Sequence, residues 1–159
     1  MVTELPVRIE FALPDGWHPA PPDEVGAPGV AFVALHPAST NGFTANITIA
    51  GELRDPALPT AVIADESVSR LESVAVSVHV RDRAEVGPGD APGITQVLDI
   101  EMGPGQRLVQ CQVYLSMNDI HDPRRRAVVE LVLTCKPDQL DDVLVDFQRF
   151  VQTVRPASS

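Results

Sequence analysis

Three groups of residues in this 159-residue chain have types and spacing that could do chemistry. His79 stands in Val76–Arg81, where apolar and polar residues alternate, and it could meet Asp99 or Glu101 on a neighbouring strand. A His–carboxylate pair can serve as general acid–base machinery. No nucleophile or metal ligand accompanies it, so an ordinary cross-strand pair is the simpler expectation. Asn118, Asp119, His121 and Asp122 offer ligand atoms to a hard cation, but their spacing matches no cation-loop signature, which points to a solvated turn. Arg124, Arg125 and Arg126 form the one basic run, whose guanidinium forks could seat a carboxylate or phosphate, or could simply keep a hairpin tip soluble. The chain holds no GxSxG, HExxH or CxxC motif. Gly87–Gly93 is glycine-rich but joins two strands and opens no helix, so it lacks the dipole an anion site would use. No catalytic residue, metal or cofactor is expected.

The elements that would position these groups are mostly strands. Val109, Cys111, Val113, Leu115 and Met117 alternate with Gln110, Gln112, Tyr114 and Ser116, the period-two pattern of a sheet with one buried face. The same period runs through Val7–Leu13, Phe43–Ile49, Val76–Val86, Ile94–Met102 and Ala127–Cys135, and Val30–His36 is a short apolar run. Pro14-Asp15-Gly16 is turn chemistry, with glycine free to take a positive φ. The proline-rich segment 18–29 reads as a loop. Between Thr60, a plausible N-cap, and Ser73–Ala75 the period changes to that of a helix, with Ile63, Ala64, Val68 and Leu71 on one stripe. Leu140, Val143, Leu144, Phe147, Phe150, Val151 and Val154 form a second helical stripe.

The order β-β-β-α-β-β-β-β-α, with short connections, predicts an α+β domain: a single, mainly antiparallel sheet of about seven strands with two principal helices packed on it. One domain spans 1–159, its core about 7–156. Both helices are expected to cover the apolar face. The other face, with Arg8, Glu10, Thr44, Asn46, Thr48, Ser77, His79, Arg81, Asp99, Glu101, Gln110, Gln112, Tyr114, Glu130 and Thr134, is expected to be wet. Such a face suits a binding module, so the candidate partner-binding residues are Arg124, Arg125, Arg126, His79 and Tyr114. The alternative is a carrier of a small apolar ligand in a pocket lined by Trp17, Phe32 and Phe43.

The net charge of −10 argues against nucleic acid and against an anionic membrane as partner. No run reaches the length of a membrane span, and Met1–Pro6 carries no basic region, so a cytoplasmic setting is expected, as a monomer or homodimer with an unknown protein partner. Cys111 and Cys135 fall on the apolar side of neighbouring strands. If 118–126 closes a hairpin, Cys111 lies opposite about Leu133 and Cys135 opposite about Val109. That diagonal is about 7–8 Å between backbones, too far for a comfortable disulfide.

FALPDGW at Phe11–Trp17, between a strand and a proline-rich loop, and TANITI at Thr44–Ile49, followed by a breaker-rich link and a helix, carry a resemblance. So do the cysteine-bearing last strand and the helix with Phe147 and Phe150. Over roughly residues 7–156 the chain resembles the LpqN-type actinobacterial family, which has the PsbP/Mog-type fold. The resemblance implies a largely non-enzymatic superfold of photosystem accessory proteins, a Ran-binding protein and envelope lipoproteins, often with helices on both sides of an antiparallel sheet. It carries over no catalytic residue.

Overall fold

The computed structural model describes residues 5–23, 29–37, 42–87, 91–118 and 124–156. In chain order the strands are β1 (Ile9–Glu10), β2 (His18–Ala20), β3 (Phe32–Leu35) and β4 (Asn46–Arg54), then helix α1 (Thr60–Glu72). There follow β5 (Ser77–Val86), β6 (Gly93–Gly103), β7 (Gln106–Asn118) and β8 (Arg126–Cys135). A 3₁₀ turn (Pro137–Gln139), helix α2 (Leu140–Thr153) and β9 (Arg155–Pro156) complete the chain. Seven strands make one antiparallel sheet in the order β2-β3-β4-β8-β7-β6-β5. The expected seven-stranded antiparallel sheet and two helices are present, but the sheet is not built from the same seven segments.

Two members differ from expectation. Val7–Leu13 does not join the main sheet; only Ile9–Glu10 is strand, and it pairs with Arg155–Pro156 at the far end of the chain. Thr153 Oγ1 accepts from the Ala12 N–H at 2.9 Å, which fastens this segment to the end of α2, and Leu5, Val7, Ile9, Phe11 and Leu13 pack on the core from outside the sheet. Gly51 lets Leu5 and Pro6 approach β4; a Cβ there would meet the Pro6 ring at 3.0 Å. The seventh place in the sheet goes to His18–Ala20, inside the stretch read as loop. Proline is tolerated there because β2 is an edge strand, where a missing N–H breaks no ladder on the open side.

α2 covers one face of the sheet. Val143, Phe147 and Phe150, at helical spacing, are buried against Ile47 and Ile49 of β4, Leu131 and Leu133 of β8, and Val109 and Val113 of β7. Asp141 and Asp142 sit in its first turn, where the helix dipole favours a negative charge. Gln139 pins the entrance: its side-chain oxygen accepts from the Lys136 N–H at 2.8 Å, and its Nε2 donates to the Phe43 carbonyl at 2.7 Å. Each large side chain so buried contributes roughly 1.5–3 kcal/mol before entropy.

α1 covers the opposite face, a correction to the expectation that both helices share the apolar one. Ile63 and Ala64 pack on Ile94 of β6, Tyr114 of β7 and Val128 of β8. The helix begins one residue earlier than a Thr60 cap would require: Pro59 is the cap, and the Val62 N–H donates to its carbonyl at 3.1 Å. The domain is therefore three layers, α/β/α.

The register shows why alternation along the strands does not tell the two faces apart. Asn46, Thr134, Gln110 and Leu98 lie side by side across β4, β8, β7 and β6. So do Thr48, Val132, Gln112 and Gln96, and the latter row continues to Arg83 of β5. Cross-strand neighbours share a face. On β6 the buried apolar residues Ile94, Leu98 and Ile100 thus stand with the glutamines of β7, on the α1 side. The apolar phase flips between β6 and β7. His79, Asp99, Val109 and Cys135 form a row on the other face. His79 and Tyr114, expected on one polar face, are on opposite faces.

The cysteines follow their expected register, Cys111 opposite Leu133 and Cys135 opposite Val109, and both are free and buried. Burial pushes the Cys111 thiol up to about 11 and the Cys135 thiol up to about 12.

Candidate functional site

Beneath α1 lies a continuous set of paired polar side chains. Gln112 is its centre, 2% exposed. Its Oε1 accepts from Gln96 Nε2 at 2.7 Å, from Ser67 Oγ at 3.2 Å and, more loosely, from the Tyr114 hydroxyl at 3.4 Å. Its Nε2 donates to Gln110 Oε1 at 2.9 Å. Gln96 Nε2 also donates to the Ala64 carbonyl of α1 at 3.2 Å. Arg83 donates twice to Gln96 Oε1, at 3.0 and 2.8 Å, and reaches Asp65 of α1 at 2.8 Å. Beside the middle of the helix, Arg54 grips Glu66 through both terminal nitrogens, at 2.8 and 2.9 Å, and Glu52 at 2.7 Å. A neutral amide in a dry interface is tolerated only when its donors and acceptors are met, and here they are met by one another.

The network is not sealed on every side. Between α1 and strands β4, β7 and β8 a cleft of about 260 Å³ opens on the polar side of the sheet. Thr48, Gln110, Gln112, Glu130 and Thr134 line its floor with Val132, and Ser67, Arg70 and Leu71 form the helix wall. Glu130 is half-buried in it. Burial pushes its carboxyl above the usual carboxylate range; Arg70 pulls it back, Glu52 adds to the rise, and the Tyr114 hydroxyl lowers it. Burial also pushes the Tyr114 phenol well above its ordinary value, with the Glu130 charge adding to the rise and Ser67 opposing it.

The residues singled out from sequence are dispersed. Tyr114 is 2% exposed under α1 and offers a partner no surface, which corrects its place among partner-binding residues. His79 is exposed and directly opposite Asp99, but Asp99 holds Arg81 through both carboxylate oxygens, one of them 3.0 Å from Nε, so the pair is not free for acid–base work. Arg124 and Arg125 are exposed, while Arg126 is half-buried with an unmatched Nε–H, opposite Arg54. Asp119, His121 and Asp122 lie outside the described residues. Among the described residues no group of three or more His, Cys, Asp or Glu side chains could hold a metal. Trp17 is 4% exposed in the core, its ring tilted against that of His36 at 4.8 Å and its Nε1–H donating to Asp146 at 3.0 Å. Phe32 packs edge-on against Phe11 at 5.0 Å, and Phe43 contributes its carbonyl to Gln139. Trp17 and Phe32 thus serve as packing residues, and the cleft beside α1 is lined by none of the three expected pocket aromatics.

No protein-family model matches the chain, and no curated protein matches it by sequence. Solved structures do match. LpqN of Mycobacterium tuberculosis, involved in cell envelope biogenesis, superposes with a TM-score of 0.69 and 11% identity, over 95% of this chain and 86% of that one. The cyanobacterial PsbP of Synechocystis sp. PCC 6803 gives 0.59 and 12%, over 94% and 86%. The Ran-binding protein Mog1p of Saccharomyces cerevisiae gives 0.56 and 12%, over 93% and 89%. The fold is an LpqN-like PsbP/Mog-type fold. At such identities the likeness carries the PsbP/Mog architecture and no residue's role. No helix among the described residues is long and apolar enough to cross a membrane.

Within this PsbP/Mog-type domain the residues that sequence reasoning missed are Gln96, Ser67 and Arg70. A signal was present for two of them: a serine sits on the apolar stripe of α1, and a neutral amide sits between buried positions of β6. Side chains of that kind are what a covered polar face requires.

Proposed function

We propose that this chain is a non-enzymatic accessory domain that docks a protein partner on the polar side of its sheet, at the cleft beside α1. One observation carries the reading: the buried amide network ends in an open, hydrogen-bonding cleft, so the domain offers fixed polar groups to a partner. The fold supports it, since Mog1p, which shares it, is a Ran-binding protein. The exposed pair Arg124 and Arg125 is the competing surface. We keep the cytoplasm as the setting, where two unpaired thiols suit a reducing compartment.

In-cell photocrosslinking tests this. A benzophenone amino acid at Thr48, in the cleft, is expected to yield one discrete protein adduct, and the same group at Val145, which is 50% exposed on α2, is expected to yield none. An adduct from Arg124 with none from Thr48 would move the docking surface to the basic run and overturn the cleft.

A further inference from the structure

We propose that the cleft beside α1 receives a single protonated amine, the lysine side chain of the docked partner, with Glu130 as its counter-charge. The proposal rests on the docking reading above and names the group that enters.

The oxygens of the lining are the groups an ammonium would meet. Gln112 has its Oε1 occupied by Gln96 and Ser67 and gives an Nε2 hydrogen to Gln110. That bond fixes Gln110 with its oxygen turned toward the network and one lone pair still available. Thr48 and Thr134 each add a hydroxyl oxygen, and Glu130 adds two carboxylate oxygens. The lining thus holds oxygen acceptors on three adjacent strands, beside the amide hydrogens of Gln110 and Gln112 and the Arg70 guanidinium. An ammonium, with three donors that can point at separate oxygens, suits them. A planar guanidinium, which prefers one carboxylate edge, suits them less.

Charge points the same way. The groups facing Glu130 are Arg70 from α1, Glu52 from β4 and the Tyr114 hydroxyl from β7. Glu52 is already paired with Arg54 at 2.7 Å, and the cation facing Glu130 is Arg70, an exposed residue of the helix wall. The chain as a whole carries −10, so it draws basic partners by long-range attraction. A carboxylate held half out of water with no buried cation beside it gains most from an incoming ammonium, which replaces the hydration it has lost. The volume, about 260 Å³, is enough for a side chain.

Nitrogen-15 NMR of the full chain, titrated with Nα-acetyl-lysine methylamide, tests the proposal, with the norleucine analogue and acetate as controls. The lysine probe is expected to shift the side-chain NH₂ signals of Gln110 and Gln112, and the norleucine probe to leave them in place. Glu130→Gln, which keeps the shape and removes the charge, is expected to weaken the lysine probe about tenfold or more. Arg70→Ala removes the competing cation and is expected to tighten it. Equal binding of both probes, preference for acetate, tighter or unchanged binding in Glu130→Gln, or weaker binding in Arg70→Ala would each overturn the amine. A partner that still crosslinks from Thr48 in the Glu130→Gln protein at undiminished yield would overturn the amine alone; a lysine probe that binds while Thr48 gives no adduct would overturn the docking reading alone.

Discussion

The two faces of the sheet are both covered by a helix, and they are built on opposite principles. Under α2 the contact is apolar throughout, from Ile47 and Leu133 to Phe150, with the polar atoms of Trp17 and Gln139 placed at its margins. Under α1 the apolar contact is small, Ile63 and Ala64 on Ile94, Tyr114 and Val128, and the rest is glutamine, serine and arginine meeting one another. The first arrangement is tolerant of partners because it is sealed. The second fixes each side chain in one orientation, and where it reaches the cleft it presents oriented acceptors to solvent. Function is therefore sought on the face where the packing is polar.

Breaking the apolar face should have the larger effect. Phe150 is fully buried, so Phe150→Ala is expected to cost about 3–5 kcal/mol in chemical denaturation. A loss below about 1 kcal/mol would mean that α2 is not the principal cover. On the polar face, Gln112→Leu strands Gln96 Nε2 and Ser67 Oγ and is expected to cost about 1–3 kcal/mol. Adding Gln96→Leu should cost less than the sum of the two single changes, since partners are then removed together. Strict additivity would mean that the two amides do not act as one unit.

Much of this was legible in the chain, and the failures have one cause. Period two along β7 and β8 fixed their pairing so closely that Cys111 opposite Leu133 could be placed before the fold was seen. The same periodicity cannot say which side of a sheet is wet, because it reports alternation and not cover. Leu98 and Ile100 alternate as cleanly as Val109 and Cys111 yet face the other way. A local signal for α1 on the polar side existed only in Ser67 and in three neutral amides, Gln96, Gln110 and Gln112, where an exposed face would more often carry charge. The cleft was not legible at all: Thr48, Arg70 and Glu130 come from three elements, and only the crossing of α1 brings them together.

Two smaller changes sharpen the contrast. The Glu130 carboxyl is held above its unfolded value, so the stability it gives is present below the ordinary glutamate range and is lost as pH rises through its folded value. At neutral pH the ionised group therefore costs stability, and Glu130→Gln is expected to raise the melting temperature there, with the gain vanishing as pH falls to about 4. A lower melting temperature at neutral pH would place Glu130 in a favourable ion pair instead. On the outer side, Arg81 and Asp99 are each more than a third exposed, so Arg81→Ala is expected to cost only about 0–1 kcal/mol, less still in high salt.

Tyr114 is the one tyrosine in the chain, and its ionisation can be followed in the folded protein by ultraviolet absorbance without interference from another phenol. If α1 seals the polar face, the phenol is expected to stay neutral well past the ordinary tyrosine value of about 10 and to ionise only as the protein unfolds. A reversible midpoint near 10 in the folded state would contradict the seal, return Tyr114 to an open face, and remove the wall on which the cleft depends.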